Sequence, residues 1–592
     1  MILTRLYEHA QRLQDKLPIE GYGEVRLSWL VELNQDGTLK ANGFTKLDKN
    51  DPRRKLPDRI RAAGIKPKLL ADNGEYVFGV GRETSPPEKV AERHRQFKEL
   101  VQQCADVTQN PSVQAVAKFL ANWNPEQDKA KLPEDFNPSQ TVTFSVEGKI
   151  PADAIPEMQA VQQFWVDYLK SGDGDSDSLP QMQCLVTGQD GLVEERLPVK
   201  IKGIPDGQTA GTSLVSANAA PFTSYGLSNS LTSPISREAG EGFAKALNYL
   251  IATEDSRLYV GPVVYVFWTQ EPSEYDFFND LGDDQPQEVK NLYTSALAGK
   301  RIYDEPNQFY ALGLSASGGR AVVRDWIEMS IPEVMQNLVR WFEAQEIVNP
   351  FGQLGEKPYL SIRRLSNCLY RDAQKEAISN IPPLLMRSAL KGTPLPLHLL
   401  TRVVRRICVD RSELHYPVTH SRAALIKLIL TSQGYAMTNM QSLNRNPSFD
   451  NPQDHAAYHC GRLLAQLEII QRKAQKKINA TLVDRYYGAA STTPAKVMGK
   501  LVQDAQPHLS KIRKDDERTC NALQSHLEDI IDQLSPEADK FPRTLSMQQQ
   551  SIFALGYYHQ RADNKKAAIA GAKAKKNSPA KDTDQKQSDP EN

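Results

Sequence analysis

The 592-residue chain has no C-x-x-C pair, and its six cysteines (Cys104, Cys184, Cys368, Cys408, Cys460 and Cys520) are scattered. That argues against a zinc ribbon and against a secreted disulfide framework. No stretch approaches the roughly 20 apolar residues needed to span a bilayer, so no membrane partner is expected. The first turns place Arg5, Glu8, His9 and Arg12 among their apolar residues, which interrupts the apolar core a signal peptide needs, and the chain reads as cytoplasmic. Neither sign of charge is in excess, with 72 Lys plus Arg against 72 Asp plus Glu. A free-standing, non-specific DNA binder is disfavoured by that balance, and any nucleic-acid contact has to come from local clusters.

Catalytic signatures are missing too. There is no G-x-x-x-x-G-K-[ST] phosphate loop, no H-E-x-x-H, no G-x-S-x-G elbow, no His-Asp dipeptide and no helicase motif;. His455 and His459 lie four apart beside Cys460, but zinc needs third and fourth ligands and none is near in sequence. No metal, no cofactor and no catalytic residue are expected.

What is present is pattern and local charge. Helical periodicity covers 1–16 and 88–122, and strand-like runs lie at 25–33, 76–80, 140–147, 182–187 and 259–268;. Residues 171–178, SGDGDSDS, read as a flexible acidic loop;. From 327 the strands stop, and helical patterns follow at 331–346, 379–390, 396–408, 421–432 and 456–476. This order predicts an α+β N-terminal domain followed by an all-α helical-bundle C-terminal domain. The expected divisions are 1–326, a helical connecting region 327–435, a bundle 436–562, and a disordered tail 563–592 that lacks aromatic anchors;.

The densest basic run is RRKLPDRIRAAGIKPK, residues 53–68, with Arg53, Arg54, Lys55, Arg59, Arg61, Lys66 and Lys68 against the single acid Asp58. Pro57 and Pro67 favour a loop, and LADNGE (70–75) then forms an Asx-Gly turn;. An Asn on such a turn can donate its amide to acceptors on base edges; a purely structural turn Asn and a solvated basic surface are the plain alternatives. Lys200 and Lys202 open a second segment, KIKGIPDGQTAGTSLVSANAAPFTSYG, whose small residues suit close approach by another chain or a guide RNA, or a buried β-loop. GLSASGGRAVVRDW (313–326) offers Arg320 and Arg324 after a glycine turn. In the last third, Arg472, Lys473, Lys476 and Lys477 fall within two helical turns, and Arg485, Lys511, Arg513 and Lys514 extend the set. Spaced cations suit a single strand tracked by its backbone, and the interleaved Tyr486, Tyr487, Tyr557 and Tyr558 suit stacking on unpaired bases or, equally, a helical core.

Several blocks carry a family resemblance. MILTRLYEHAQRL, KPKLLADNGEYVFGV, the KIKG segment, GLSASGGRAVVRDW, GRLLAQLEIIQRKA, INATLVDRYYGAASTTPAKVMGKL and LSMQQQSIFALGYYHQRA are similar to the large subunit of the type I-C CRISPR Cascade complex, the Dvulg-subtype CRISPR-associated protein. The resemblance implies a non-enzymatic subunit that reads the protospacer-adjacent motif of target DNA. It makes Asn73 the expected base-edge reader, with Lys66, Lys68, Arg61, Arg53 and Arg54 on phosphates. Its implied partners are CRISPR RNA, target DNA, the other Cascade backbone and small subunits, and a helicase–nuclease. It further implies an internal translation start, for which Met437 and Met440 stand just upstream of the last helical segment. A nuclease with an unrecognised site and a protein-only scaffold adaptor are the rival readings.

Overall fold

The computed structural model describes residues 2–576, except 172–179, 273–306, 354–359, 373–379, 411–416, 438–448, 535–540 and positions 14, 49, 52, 60, 62–63, 436 and 476–477. The expected 171–178 loop, Lys476, Lys477 and Met440 thus lie outside the described residues, save Ser171. The chain packs as two compact units, Met1–Thr253 with Ala316–Val322, and Glu254–Ser315 with Val323–Asn592.

In the first unit, α1 (Ile2–Arg12) is followed by strands β1 (Tyr22–Val25), β2 (Trp29–Leu33), β3 (Leu39–Lys46), β4 (Arg54–Pro57) and β5 (Ala71–Asn73). Then come the one-turn α2 (Gly74–Val77), α3 (Pro87–Thr108), α4 (Pro111–Asn122), β6 (Thr141–Val146) and α5 (Gln159–Lys170). β7 (Gln181–Gln183), β8 (Asp190–Leu192) and α6 (Arg237–Ala252) complete it. The main sheet has the order β3-β2-β6-β5, with β2 and β6 parallel. Parallel neighbours need a crossover, and α3 and α4 supply it. Their Phe97, Val101, Val116 and Phe119 bury against Val31, Val142 and Phe144 in one core. The periodicity over 88–122 resolves into two helices because Gln109 turns left-handed (φ 48°) and Pro111 starts the second. The run 76–80, expected as a strand, instead contains the end of α2. Asn73 caps that turn, and the apolar run is buried because it plugs the core.

The second unit opens with an antiparallel sheet of β9 (Arg257–Val260), β10 (Val263–Thr269), β11 (Gln308–Ser317) and β12 (Arg320–Ser330), except for the β11–β12 tip, Ala316–Val322, which belongs to the first unit. Helices follow: α7 (Ile331–Gln345), α8 (Ile362–Asn367), α9 (Ile381–Lys391), α10 (His398–Val409), α11 (His420–Ser432), α12 (Pro452–Ala474), α13 (Leu482–Thr492), α14 (Pro494–Asp515), α15 (Glu517–Asp532) and α16 (Met547–Lys576). A mixed α/β region giving way to helices is the architecture expected. The sheet nevertheless packs with the helices, because Tyr265, Phe267 and Phe309 share one continuous core with residues as distant as Tyr557 and Ala562. α12 and α16 form the centre of this unit. α16 also runs on to Lys576, so the stretch 563–576 is helical where disorder was expected from 563. Its KKAAIAGAKAKK sequence is rich in Ala and Lys, strong helix formers that need no apolar anchor to extend an established helix.

Lys427 is the most deeply buried of the cations among this unit's described residues. Lys427 is 2 % exposed, and its ammonium donates to the carbonyls of Glu343 (3.0 Å) and Ala344 (3.1 Å). Burial pushes its pKa down to about 8 from its usual value near 10.5. The folded state therefore binds fewer protons than the unfolded state between those values, and stability rises with pH across that window. The rise attributable to Lys427 is roughly 3 kcal/mol, at about 1.4 kcal/mol per pKa unit. Unfolding free energies of wild type and Lys427→Met from denaturant titrations should diverge by that amount from pH 8 to 10.5;; parallel curves would contradict the assignment.

Candidate nucleic-acid interface

The residues around Asn73 form a built polar hub in the first unit. Asn73 ends strand β5, where it pairs with Thr141, and caps α2. Its Oδ1 accepts from the amides of Glu75 (3.1 Å) and Tyr76 (3.4 Å). Its side-chain NH2 donates to no acceptor among the described residues, and the residue is half-buried.

Two buried carboxylates organise the cations on either side. Asp72, 3 % exposed, receives the Arg61 guanidinium and the backbone N–H of Lys68 (2.9 Å), and its other oxygen accepts from the backbone N–H of Asn73 (2.8 Å). Burial raises the pKa of Asp72, opposed by the charge of Arg61 and the bond from Lys68. Glu75, 1 % exposed, binds Arg82 (2.9 Å), Arg93 (2.5 Å) and the Ser85 hydroxyl (2.5 Å). Burial pushes its pKa up, but hydrogen bonds from Ser85 and Arg82 and the charge of Arg93 bring it below the usual carboxylate value. Tyr76 lies between the two groups, with Arg61 at 4.1 Å and Arg93 at 5.9 Å from its ring centroid.

The cations expected on phosphates thus divide. Arg61 also donates to the Lys66 carbonyl (2.6 Å), and Lys68 pairs with Asp58 (2.5 Å), so both hold the loop in shape. Lys66 is half-buried beside them. Arg54 is exposed but pairs with Asp153 (2.9 Å), and Arg53 is exposed on the same segment. Arg82, with half of its side chain exposed, joins the hub although the basic run did not include it. Its signal was faint: a lone Arg after the apolar run, directly followed by the acidic Glu83.

Lys200 and Lys202 are brought beside Arg320. Asn248 of α6 accepts from the Lys202 amide (2.8 Å) and donates to the Lys200 carbonyl (2.9 Å). Ile201 bridges to Thr212, and Ser213 bridges to Arg320 at the tip of the β11–β12 hairpin. Arg324, on β12, is exposed and donates to Ser315 Oγ (2.7 Å).

A family of CRISPR-associated proteins, described as CRISPR-associated protein (Cas_Csd1), matches residues 3–564. The chain belongs to that family. No curated protein matches the chain. The Cas_Csd1 match runs through both units, so the hub at Asn73 and the basic helices of the second unit both fall within it.

In that second unit, three of the four tyrosines considered for base stacking are core residues, Tyr487, Tyr557 and Tyr558 being at most 5 % exposed, and Tyr486 is half-buried against the same core. Tyr557 donates to Glu468 (2.7 Å) and meets Tyr487 edge-on. Tyr557 thus turns toward α12, whereas the Tyr558 hydroxyl donates to the Val348 carbonyl (2.8 Å). Glu468, itself buried, also pairs with Arg472 (2.9 Å) and Arg561 (3.8 Å). Arg472, Lys473 and Arg485 are exposed, as are Lys511, Arg513 and Lys514. His455 and His459 contact each other at 3.2 Å, and burial with Arg462 alongside pushes His459 down to about 2, leaving it neutral. Among the described residues no group of three or more His, Cys, Asp or Glu side chains could hold a metal ion, and no helix is long and apolar enough to cross a membrane.

Proposed function

We propose that this chain is the large, non-enzymatic subunit of a type I-C Cascade complex, reading the protospacer-adjacent motif of target DNA through Asn73. The observation that carries the reading is the arrangement at that residue. Its carbonyl oxygen is used to cap α2, its amide NH2 has no acceptor among the described residues, and basic side chains flank it on both sides. An amide donor held by a rigid turn fits acceptors on base edges. Arg53 and Arg82 are the exposed cations suited to neighbouring phosphates, while Arg61 and Lys68 keep the turn in place.

In this reading the first unit begins strand separation beside the adjacent motif, and guide–target pairing supplies most of the sequence specificity, a logic known for a different RNA-guided effector. The exposed Arg472, Lys473 and Arg485 of the helical unit hold the displaced strand by its backbone. The partners are CRISPR RNA, target DNA, the remaining Cascade backbone and small subunits, and a helicase–nuclease that performs the cleavage.

Asn73→Ser separates the two tasks of this side chain, because Ser retains an N-cap acceptor and lacks the amide donor. Gel-shift binding by the guide-RNA complex to targets differing only in the flanking motif should lose about 5- to 100-fold of its discrimination, the range of one good base contact. Overall folding should be unchanged. Full discrimination in Asn73→Ser would remove the residue from the reading site.

A further inference from the structure

The loop after Thr212 is built differently from the rest of the first unit. Its base is stapled: the Asn229 amide donates to the Ala217 carbonyl (3.1 Å), the Ser230 amide to the Glu195 carbonyl (2.8 Å), and the Asn229 side chain to Glu195 Oε1 (2.6 Å). Beyond the staple, every residue from Asn218 to Gly226 is exposed. The tip is a tight turn, with the Leu227 amide on the Ser224 carbonyl (2.9 Å).

Tyr225 and Gly226 occupy its centre with φ values of 52° and 72°. That left-handed pair calls for Asn-Gly; a Tyr there is strained, and strain of this kind concentrates where function requires a particular side chain. The ring is 99 % exposed, so no burial compensates for it. Phe222, 49 % exposed, stands three residues earlier with the Arg320 guanidinium stacked 3.9 Å from its ring centroid. Asn218 holds that guanidinium at 2.6 Å. From Asp206 to Glu238 the sequence contains no intervening carboxylate, and Lys202 lies exposed next to Ile201, which bridges to Thr212.

We infer that this loop is a stacking platform for an unpaired base of a single nucleic-acid strand. Tyr225 takes the base, and Arg320 and Lys202 take the adjacent phosphates. An exposed aromatic ring, a planar guanidinium, a lysine ammonium and a loop sequence without carboxylates form the combination that binds single strands without reading sequence. The inference deepens the proposed function and rests on it.

The test uses the guide-RNA complex assembled with the full chain, and 2-aminopurine placed at successive positions of the displaced DNA strand or of the guide RNA. Stacking on Tyr225 should quench the probe at one or two adjacent positions in one of these strands, and the strand concerned identifies the source of the base. Tyr225→Phe should keep the quenching. Tyr225→Asn relieves the turn and removes the ring; it should abolish the quenching and weaken target binding about 5- to 100-fold. No Tyr225-dependent quenching in either strand, with motif discrimination by Asn73 intact, would overturn this inference and leave the proposed function standing. Failure of the Tyr225→Asn chain to join the complex would also overturn it, by making the loop a protein contact.

Discussion

Gly556→Ala should lower the stability of the second unit by about 3 kcal/mol or more, and Gly461→Ala should do the same. Overpacking costs of 1–3 kcal/mol are typical where side chains can adjust. Here they cannot, because an added Cβ at Gly556 would overlap the backbone carbonyl of Tyr458, and one at Gly461 would overlap that of Phe553. The obstacles are helix backbones, so α12 and α16 would have to part. Parting them would break the Tyr557–Glu468 bond and the Glu468–Arg561 pair, the contacts that hold α16 against the Arg472-bearing face of α12. Chemical denaturation should therefore show a lower midpoint together with weaker retention of the displaced strand. Gly488→Ala and Gly499→Ala are the controls. Both lie inside helices with nothing within 4 Å of the added atom, and each should stabilise by about 0.5–1 kcal/mol. If all four variants behave alike, the close crossing is wrong.

The second large effect is expected from Glu75→Gln in the first unit. Removing one partner of a buried ion pair costs about 3–5 kcal/mol, because the charge left behind loses its compensation. Arg93, with 23 % of its side chain exposed, bears most of that loss, whereas the half-exposed Arg82 is largely screened by water;. The pH dependence has a definite sign. The folded-state pKa of Glu75 is depressed, so its stabilisation is complete above the ordinary Glu value near 4.3 and disappears as pH falls through the folded value;. Wild type should lose stability on acidification below about pH 4, and Glu75→Gln should lack that component. Released from Glu75, Arg82 and Arg93 should favour DNA of any sequence. The variant should bind untagged duplexes as well as or better than wild type, while its motif discrimination collapses. Retained discrimination with unchanged stability would show that the hub does not hold the Asn73 turn.

Much of the fold could be read locally. The five helical patterns from 331 to 476 reappear as α7, α9, α10, α11 and α12 within a few residues; α7 and α10 repeat their apolar residues at helical spacing, whereas α11 and α12 are buried on all sides over much of their length;. β6 was visible for a similar reason, as a short apolar run rich in Val and Thr. The 76–80 segment failed because full burial looks the same in a strand and in a one-turn helix plugged into a core, and only the cap at Asn73 distinguishes them. Disorder was expected from 563, where α16 in fact continues, because composition cannot show that α16 is already nucleated by its packing on α12; residues 577–592 lie outside the described residues.

The candidate site divides along the same line. Charge clusters, the Asn-Gly turn and the carboxylate-free 207–237 stretch are properties of short windows, and the sequence by itself determined them. Which cations are committed was decided by tertiary structure. Arg61 finds Asp72 eleven residues on, Arg93 finds Glu75 eighteen residues back, and Arg320 reaches Phe222 and Asn218 from about a hundred residues away. A buried carboxylate selects its partner by distance and desolvation, and neither quantity exists until the chain has folded.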